Sequence, residues 1–337
     1  MKTNTLKLIA LFAVVFFGIT SCSNDDEFKD SIQLDYSITG IAKRTSNLSS
    51  LVAALNRAGL AETLSGSGTF TVFAPTNEAF STFLTANGFA SVNDVPVPVL
   101  KNILLNHVLG AEIASAAIPT ATYVSTLSPI NTNTDSPTIS MFVQKSGGTV
   151  TLNGGIANSG AVVTTADVEA NNGVIHIVNR VIAIPTLVNH VIANPSFDTL
   201  QAVVTSTSGA FGDQSAVLNA LVGIPASSPA TLFAPNNAAF TAATTGTGFA
   251  VGATAAQVTT VLQYHVTGAG NVRSNQLTNN QSVPMITSPA QNVTVILGTG
   301  TVDIRDTANN LSRVFQADVQ CSNGVIHGVD RVLQPQL

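Results

Sequence analysis

Residues 69–80 read Thr-Phe-Thr-Val-Phe-Ala-Pro-Thr-Asn-Glu-Ala-Phe, and residues 230–240 repeat the pattern as Ala-Thr-Leu-Phe-Ala-Pro-Asn-Asn-Ala-Ala-Phe. A second segment, Asn-Gly-Val-Ile-His at residues 172–176, returns at residues 323–327. An Arg-Val pair follows shortly after each copy of this second segment. Two copies with so long a spacing indicate tandem domains and not a solenoid of short repeats.

Each repeat is predicted to combine a short strand with amphipathic helices. The strand, 69–73 or 231–233, is ended by a proline, because proline cannot donate to a strand ladder. Thr76 or Asn236 then stands where a helix N-cap belongs. Apolar residues at helical spacing predict one helix before the strand and one after it: 48–55 and 100–107 in the first repeat, 197–204 and 258–265 in the second.

The second half of each repeat is predicted to be rich in strands. The Asn-Gly pairs at 172–173 and 323–324 predict hairpins, because both residues tolerate positive φ. His176 and His327 stand in mid-strand with valines on the same face, which indicates packing. The predicted strands are 149–152, 162–168 and 174–182 in the first repeat, and 292–297, 302–305, 314–319 and 325–333 in the second.

These motifs, with the pairs Asn106-His107 and Tyr264-His265 between them, resemble the fasciclin domain in order and spacing. The resemblance implies an α+β fold with two tandem fasciclin-like domains, each a β-wedge or sandwich packed with a cluster of α-helices. It also implies a secreted or surface-tethered protein, linked to adhesion through proteins, matrix components or glycans. The family's Tyr-His pair has been tied to adhesion; Tyr264-His265 matches it, whereas the first repeat has Asn106 in place of Tyr.

Asn106, His107, Tyr264 and His265 are therefore candidate interaction residues. Each histidine continues the apolar stripe of its helix, so we expect His107 and His265 to be mostly buried. Asn106 and Tyr264 lie about 100° around the helix from the histidines, which predicts greater exposure. The position of each histidine on the apolar stripe favours a role of the pair in holding the fold over direct contact with a partner.

The N-terminus has the pattern of a bacterial lipoprotein signal. Two lysines precede an apolar run, 8–19, that is too short for a comfortable membrane span. The run ends in Ile-Thr-Ser before Cys22, which resembles a lipobox and implies removal of residues 1–21 and acylation of Cys22. The acidic cluster in the tether 22–33 resembles a tag for the outer face of the outer membrane; a plain solvated linker is the alternative.

Composition and missing motifs exclude several functions. Charged residues make up 9% of the chain and the net charge is −5, so no basic stripe is available for nucleic acid. No Gly-x-Ser-x-Gly, His-Glu-x-x-His or Gly-x-x-x-x-Gly-Lys motif occurs. Cys321 has no partner once Cys22 is acylated, and we interpret it as a small buried residue. We predict no catalytic residues, no metal and no cofactor.

Three functional hypotheses follow. Duplication and a surface address predict a non-enzymatic adhesion or ligand-binding lipoprotein that presents its modules to an extracellular protein or polysaccharide and meets the membrane only through its anchor. The alternatives are a structural spacer in the envelope and, less favoured, a surface hydrolase. The hydrolase would use Asp167 and Asp318 beside His176 and His327, and would require a water-accessible cleft with a shifted carboxylate.

The predicted domain boundaries are 34–184 and 185–337. Pro185 and the change of pattern there fit a junction between domains. Because 184–192 is short and apolar, we expect this junction to be packed and not a free tether.

Overall fold

The computed structural model describes residues 34–131, 136–246, 248 and 250–337. Cys22, the predicted signal peptide and the predicted tether lie outside these described residues. In the described ranges, no helix is both long enough and apolar enough to cross a membrane.

The first repeat opens with helices, passes through one strand and ends in a β-rich half. Its helices are α1 (Ile38–Arg44), α2 (Ser49–Ala58), α3 (Asn77–Ala86) and α4 (Val97–Leu105). Its strands are β1 (Phe70–Pro75), β2 (Val108–Leu109), β3 (Ala121–Pro129), β4 (Thr138–Ser146), β5 (Thr149–Leu152), β6 (Ala161–Ala170) and β7 (Gly173–Val178). Strands β3 to β7 pair with one another in sequence order, so this half is a run of hairpins.

The second repeat follows the same order with one added helix. Its helices are α5 (Leu187–Ala193), α6 (Asp198–Val204), α7 (Ser215–Val222), α8 (Asn237–Thr244) and α9 (Ala255–Gln263). Its strands are β8 (Ala230–Pro235), β9 (Val266–Thr267), β10 (Ser282–Pro284), β11 (Asn292–Gly298), β12 (Thr301–Arg305), β13 (Leu311–Cys321) and β14 (Gly324–Val329). Helix α7 has no counterpart in the first repeat and follows the insertion around Gly209 and Gly212.

The two sheets share one topology in the described residues. The strand order is β2-β1-β7-β6-β5-β4-β3 in the first repeat and, read in the same sense, β9-β8-β14-β13-β12-β11-β10 in the second. The pairs β1–β7 and β8–β14 are parallel and the other pairs are antiparallel. Strand β2 contacts β3 across the open side, and the Ile286 N–H donates to the Val266 carbonyl oxygen across the equivalent gap. Each sheet therefore curls into a nearly closed wedge.

Local sequence signals explain the central strand and the helix that follows it. The side chains of Thr76 and Asn236 accept from backbone N–H groups at 3.2 and 2.8 Å, which confirms the predicted N-caps. Gly173 has φ 140°, and a Cβ atom there would overlap the Phe70 carbonyl oxygen on β1. Glycine is required in the Asn-Gly turn because strands β1 and β7 approach so closely there.

Each repeat has two apolar cores. One lies between the helices and the sheet, with Leu55 and Leu104 among its members in the first repeat. The other lies inside the curled sheet and includes Phe73 and Met141 in the first repeat. The second repeat is divided in the same way. Cys321 is 1% exposed and belongs to the helical core of the second repeat, as the sequence predicts.

Two features of the fold differ from the sequence predictions. Strands β2, β3, β4, β9 and β10 and helices α1, α5 and α7 are not among the predicted elements. The strands predicted over 174–182 and 325–333 end at Val178 and Val329, because the chain then leaves the sheet. In the first repeat it turns toward helix α4, where the Ile182 N–H binds the His107 ring.

The junction between the repeats is packed, as predicted. Helix α5 of the second repeat places His190 against the Tyr123 ring of β3, with ring centroids 5.4 Å apart. The Asn189 side chain donates to Asn158 Oδ1 at 3.0 Å. On the neighbouring strands, the Gln320 N–H of β13 donates to the Ser140 hydroxyl of β4 at 3.0 Å. These side chains form the interdomain seam.

Candidate functional site

His107 lies two residues after the end of α4 and connects that helix to the closing segment of the first repeat. Its Nδ1–H donates to the Ile103 carbonyl oxygen at 2.7 Å. Its Nε2 accepts from the Ile182 N–H at 2.8 Å. Both ring nitrogens are thus engaged with backbone groups, and the neutral tautomer with the proton on Nδ1 satisfies both bonds.

His265 repeats this arrangement in the second repeat. It lies 2.7 Å from the Val261 carbonyl oxygen and accepts from the Leu333 N–H at 2.9 Å. Both His107 and His265 are 1% exposed, which confirms the predicted burial. Burial disfavours the charged imidazolium and lowers the pKa of each ring to about 4, so both rings are neutral at pH 7.

Asn106 and Tyr264 are fully buried at 0% exposure, and the prediction that they are more exposed is wrong. Both residues keep helical backbone angles, but the closing segment covers Asn106 and strand β11 covers Tyr264. Asn106 Nδ2 donates to the Ala183 carbonyl oxygen at 3.2 Å, and the Tyr264 hydroxyl donates to the Asn292 carbonyl oxygen at 2.8 Å. Each candidate pair therefore forms an internal connection from a helix end to a neighbouring strand or closing segment.

His176 of β7 lies in a second polar cluster, beside Asp167 of β6. The Asp167 carboxylate accepts from the Ser115 N–H at 2.7 Å and from the Ser115 hydroxyl at 2.5 Å. His176 Nε2 lies 2.9 Å from the Ile113 carbonyl oxygen, and Nδ1 accepts from the Asp167 N–H at 3.2 Å. Asp167 has φ 59°, a left-handed conformation that the β-bulge on β6 requires.

The second repeat contains the same cluster. The Asp318 carboxylate accepts from the Ser274 N–H at 2.8 Å and also from the Ser274 hydroxyl. His327 Nε2 lies 2.9 Å from the Val272 carbonyl oxygen, and Asp318 has φ 59°. The clusters therefore belong to the duplicated frame of the fold and are not special to one domain.

The arrangement of Ser115, Asp167 and His176 differs from a nucleophilic triad. In such a triad the serine hydroxyl donates to the histidine, which accepts its proton. Here the Ser115 hydroxyl donates to Asp167, and both His176 nitrogens are engaged with backbone groups. The Ser115 hydrogen bonds lower the pKa of the Asp167 carboxyl, which makes it a weaker base. The geometry favours anchoring a strand bulge over activating a nucleophile.

No group of three or more His, Cys, Asp or Glu side chains within the described ranges comes together in a way that could hold a metal ion. The residues that sequence reasoning missed are the serines of the clusters, Ser115 and Ser274. No motif marks them, because each begins a short 3₁₀ helix far along the chain from the aspartate that it binds. Their shared role becomes visible only when the two repeats are compared in three dimensions.

A protein-family model described as the fasciclin domain matches residues 46–185 and 203–335. This chain belongs to the fasciclin domain family. The predicted resemblance and the predicted α+β fold of two tandem modules are thereby confirmed. Fasciclin domains are known from adhesion-type proteins, are generally non-catalytic and are typically extracellular or at the cell surface.

Known relatives carry the same domain. Protein sll1483 of Synechocystis sp. is 34% identical over 152 residues, covering 44% of this chain and 73% of that protein. Uncharacterized protein sll1735 of the same organism is 30% identical over 145 residues, covering 43% and 96%. A fasciclin-like arabinogalactan protein of Arthroderma benhamiae is 30% identical over 207 residues, covering 60% of this chain and 43% of that protein. A FAS1 domain pair from the insect cell adhesion molecule fasciclin I aligns at 17% identity and a TM-score of 0.46, covering 84% and 92%.

Proposed function

We propose that this protein is a non-enzymatic, lipid-anchored surface protein that presents two fasciclin domains to an extracellular protein or polysaccharide. The observation that carries the proposal is the fasciclin domain found twice along one chain. Fasciclin domains occur in adhesion-type proteins, and two modules on one chain suit a polymeric or multivalent partner.

The polar clusters support the non-enzymatic part of the proposal. A catalytic serine, histidine and aspartate would need free atoms facing a substrate. In both domains the serine hydroxyl instead donates to the aspartate, and the histidine Nε2 lies within hydrogen-bond distance of a backbone carbonyl oxygen. Duplication of a complete cluster fits a role in the fold better than a role in one active site.

The low charge of the chain supports a partner that is recognised without ion pairs. Only 9% of residues are charged, and the sequence is rich in Thr, Ser, Asn and Ala. Recognition through neutral hydrogen-bonding groups depends little on salt, because screening acts on charges. We infer that the partner is bound through uncharged polar contacts. Asn106, His107, Tyr264 and His265 then influence binding only through the fold, since their side chains are buried.

Anchoring through Cys22 is the part of the proposal that rests on the lipobox-like segment. One acyl chain alone binds membranes marginally, at about 0.8 kcal/mol per buried methylene, and stable attachment needs more than one. Cys22→Ala should move the protein from the membrane fraction to the soluble fraction. Unchanged membrane partition, with no lipid on the protein by mass spectrometry, would contradict the anchor.

The binding role is tested by an array of extracellular proteins and polysaccharides probed with the chain from residue 22 onward. We expect saturable capture of an array component without chemical change to it. Asp167→Asn and Asp318→Asn should keep this capture if the protein folds normally. Turnover of an array component that these two variants abolish would overturn the proposal in favour of a hydrolase.

A further inference from the structure

The second fasciclin domain contains an apolar pocket between helices α6, α8 and α9. Its volume is about 350 Å³. Phe240, Val261 and Leu262 form walls that are themselves 5–6% exposed, so they belong to the packed core. Ligand pockets in proteins commonly measure about 300–1,000 Å³.

The aligned space in the first domain is filled by larger side chains on the third helix. Phe80 of α3 aligns with Phe240 of α8, which places Phe83 and Leu84 opposite Ala243 and Thr244. Phe83 and Leu84 pack against the helical core of the first domain. In the second domain a phenyl ring is lost at one position, and a hydroxyl-bearing side chain replaces leucine at the next.

Side chains are also smaller on α9 of the second domain than on the aligned helix α4 of the first domain. His107 aligns with His265, so Leu100 and Ile103 of α4 align with Val258 and Val261 of α9. Each pair loses one methylene in the second domain. In the loop before the helix, Val95, which is 0% exposed, aligns with Ala253 by the same register. Because the side chains are smaller at several facing positions, the space that they leave is a continuous pocket and not one isolated packing defect.

The insertion unique to the second domain supplies one wall of the pocket. Phe211 lines the pocket from this insertion. Gln214, at 0% exposure, fastens the insertion to the domain: its Nε2 donates to the Phe211 carbonyl oxygen at 2.7 Å. Its Oε1 accepts from the Thr259 hydroxyl of α9 at 2.8 Å. These bonds fix the Phe211 wall relative to the helix that forms the opposite side.

No side chain that lines the pocket is charged, and Arg331, the neighbour of Val332, lies at an adjoining pocket. From Asp213 to Arg273 the sequence between these two residues contains no Asp, Glu, Lys or Arg. The Thr244 hydroxyl at the pocket donates to the Phe240 carbonyl oxygen at 2.7 Å and is already engaged. A charged ligand would therefore lose its hydration without gaining a partner, whereas an apolar ligand would bury its surface favourably.

We propose that this pocket binds a neutral apolar small molecule, of the size of one aromatic ring with a short alkyl chain. An apolar protein cavity of about 150 Å³ is enough to hold benzene, and this pocket is larger. In the first domain the larger side chains Phe83, Leu84 and Leu100 stand at the aligned positions and pack in or against the helical core. The pocket is independent of the proposed surface adhesion, since it lies among core side chains.

The test is equilibrium binding of butylbenzene to the full chain, measured by isothermal titration calorimetry. We expect one saturable site per chain. Ala243→Phe restores the ring of the first domain and should weaken binding at least tenfold. Ala242→Phe makes the same substitution at the neighbouring exposed position on α8, and should leave binding unchanged. If Ala243→Phe fails to fold, Thr244→Leu takes its place with the same expected loss.

Three outcomes would overturn the proposal. The first is no saturable binding to the unchanged chain, and the second is equal loss from Ala242→Phe and Ala243→Phe. The third concerns Phe249, which lies outside the described residues and aligns with Phe89, a residue packed against the core of the first domain. Binding that appears only in Phe249→Ala would mean that the chain's own side chain is the occupant.

Discussion

In the first fasciclin domain Phe83 and Leu84 pack against the helical core, whereas the second domain has Ala243 and Thr244 at the aligned positions. The buried histidines show no such divergence. His107 and His265 each lie 2.7 Å from a carbonyl oxygen one helical turn back, and each accepts a backbone N–H at 2.8 or 2.9 Å. Apolar positions can vary because packing requires only volume, while a buried backbone group requires a specific partner.

The outer strands show a second contrast. In the first domain Tyr123 of β3 pairs with Phe142 of β4, and the Tyr123 ring packs against helix α5 of the second domain. The aligned pair in the second domain is Ser282 with Thr294. Among the described residues, the second domain therefore has hydroxyl side chains where the first domain presents its aromatic pair to helix α5.

Lowering the pH should produce the largest difference in stability between the two domains. Burial lowers the pKa of His107 in the first domain, and of His190 and His265 in the second, from 6.5 to about 4. In the unfolded chain these histidines become protonated below about pH 6.5. In the folded chain they stay neutral until about pH 4. Stability therefore falls as pH drops through this window, by on the order of 3 kcal/mol per ring. Hydrogen exchange measured by domain should show the second domain opening first.

Equal acid sensitivity of the two domains would contradict this prediction. His190→Gln supplies the control, because it removes the ring at the interdomain seam. That variant should reduce the acid sensitivity of the second domain toward that of the first.

Exchanging the aligned side chains on α3 and α8 should have opposite effects in the two domains. Phe83→Ala removes a partly buried ring and should cost the first domain about 2–3 kcal/mol, below the full cost of a completely buried phenylalanine. Ala243→Phe fills the pocket of the second domain and should stabilise it by roughly 1 kcal/mol. Urea unfolding followed by domain-resolved exchange measures both. Destabilisation by both substitutions would mean that the second domain has no room for the ring.

Removing either buried histidine should destabilise its own domain. His107→Ala and His265→Ala each leave a carbonyl and an N–H without their side-chain partner, at a cost of about 1–3 kcal/mol. The untouched domain is the internal control and should keep its unfolding transition. An unchanged melt together with lost ligand binding would instead make His265 a contact residue.

Tyr264→Phe is the mildest change and tests the pair that differs between the domains. It removes the hydroxyl that donates to the Asn292 carbonyl oxygen and keeps the ring in the core. We expect a loss of about 0.5–1.5 kcal/mol in the second domain and no change in partner binding. A thermal melt measures the loss of stability, and a binding assay measures the affinity for the partner. Lost binding at unchanged stability would argue for direct contact by Tyr264.

Sequence alone predicts the features that depend on neighbours along the chain. The N-caps at Thr76 and Asn236, the Asn-Gly turns and the buried histidines follow from local chemistry and periodicity. The predicted exposure of Asn106 and Tyr264 is wrong because segments distant along the chain, at Ala183 and Asn292, pack over these side chains.

Features that depend on distant residues are beyond such reasoning. Ser115 becomes significant only because the β6 bulge brings Asp167 to it. The interdomain seam needs Tyr123 and His190 to meet, and the pocket needs facing reductions on two helices. None of these contacts leaves a periodic or motif-like trace in one sequence.

The most direct test of the proposed function is the affinity of the tandem chain for its array-identified ligand, compared with that of fragments 28–185 and 186–337. We predict that the tandem chain binds more tightly than either fragment, by up to about 10²–10⁴ if one ligand spans both domains. We also predict that this affinity depends only weakly on salt, because so few charges are present. Equal affinity of one domain and two would contradict presentation of a paired surface.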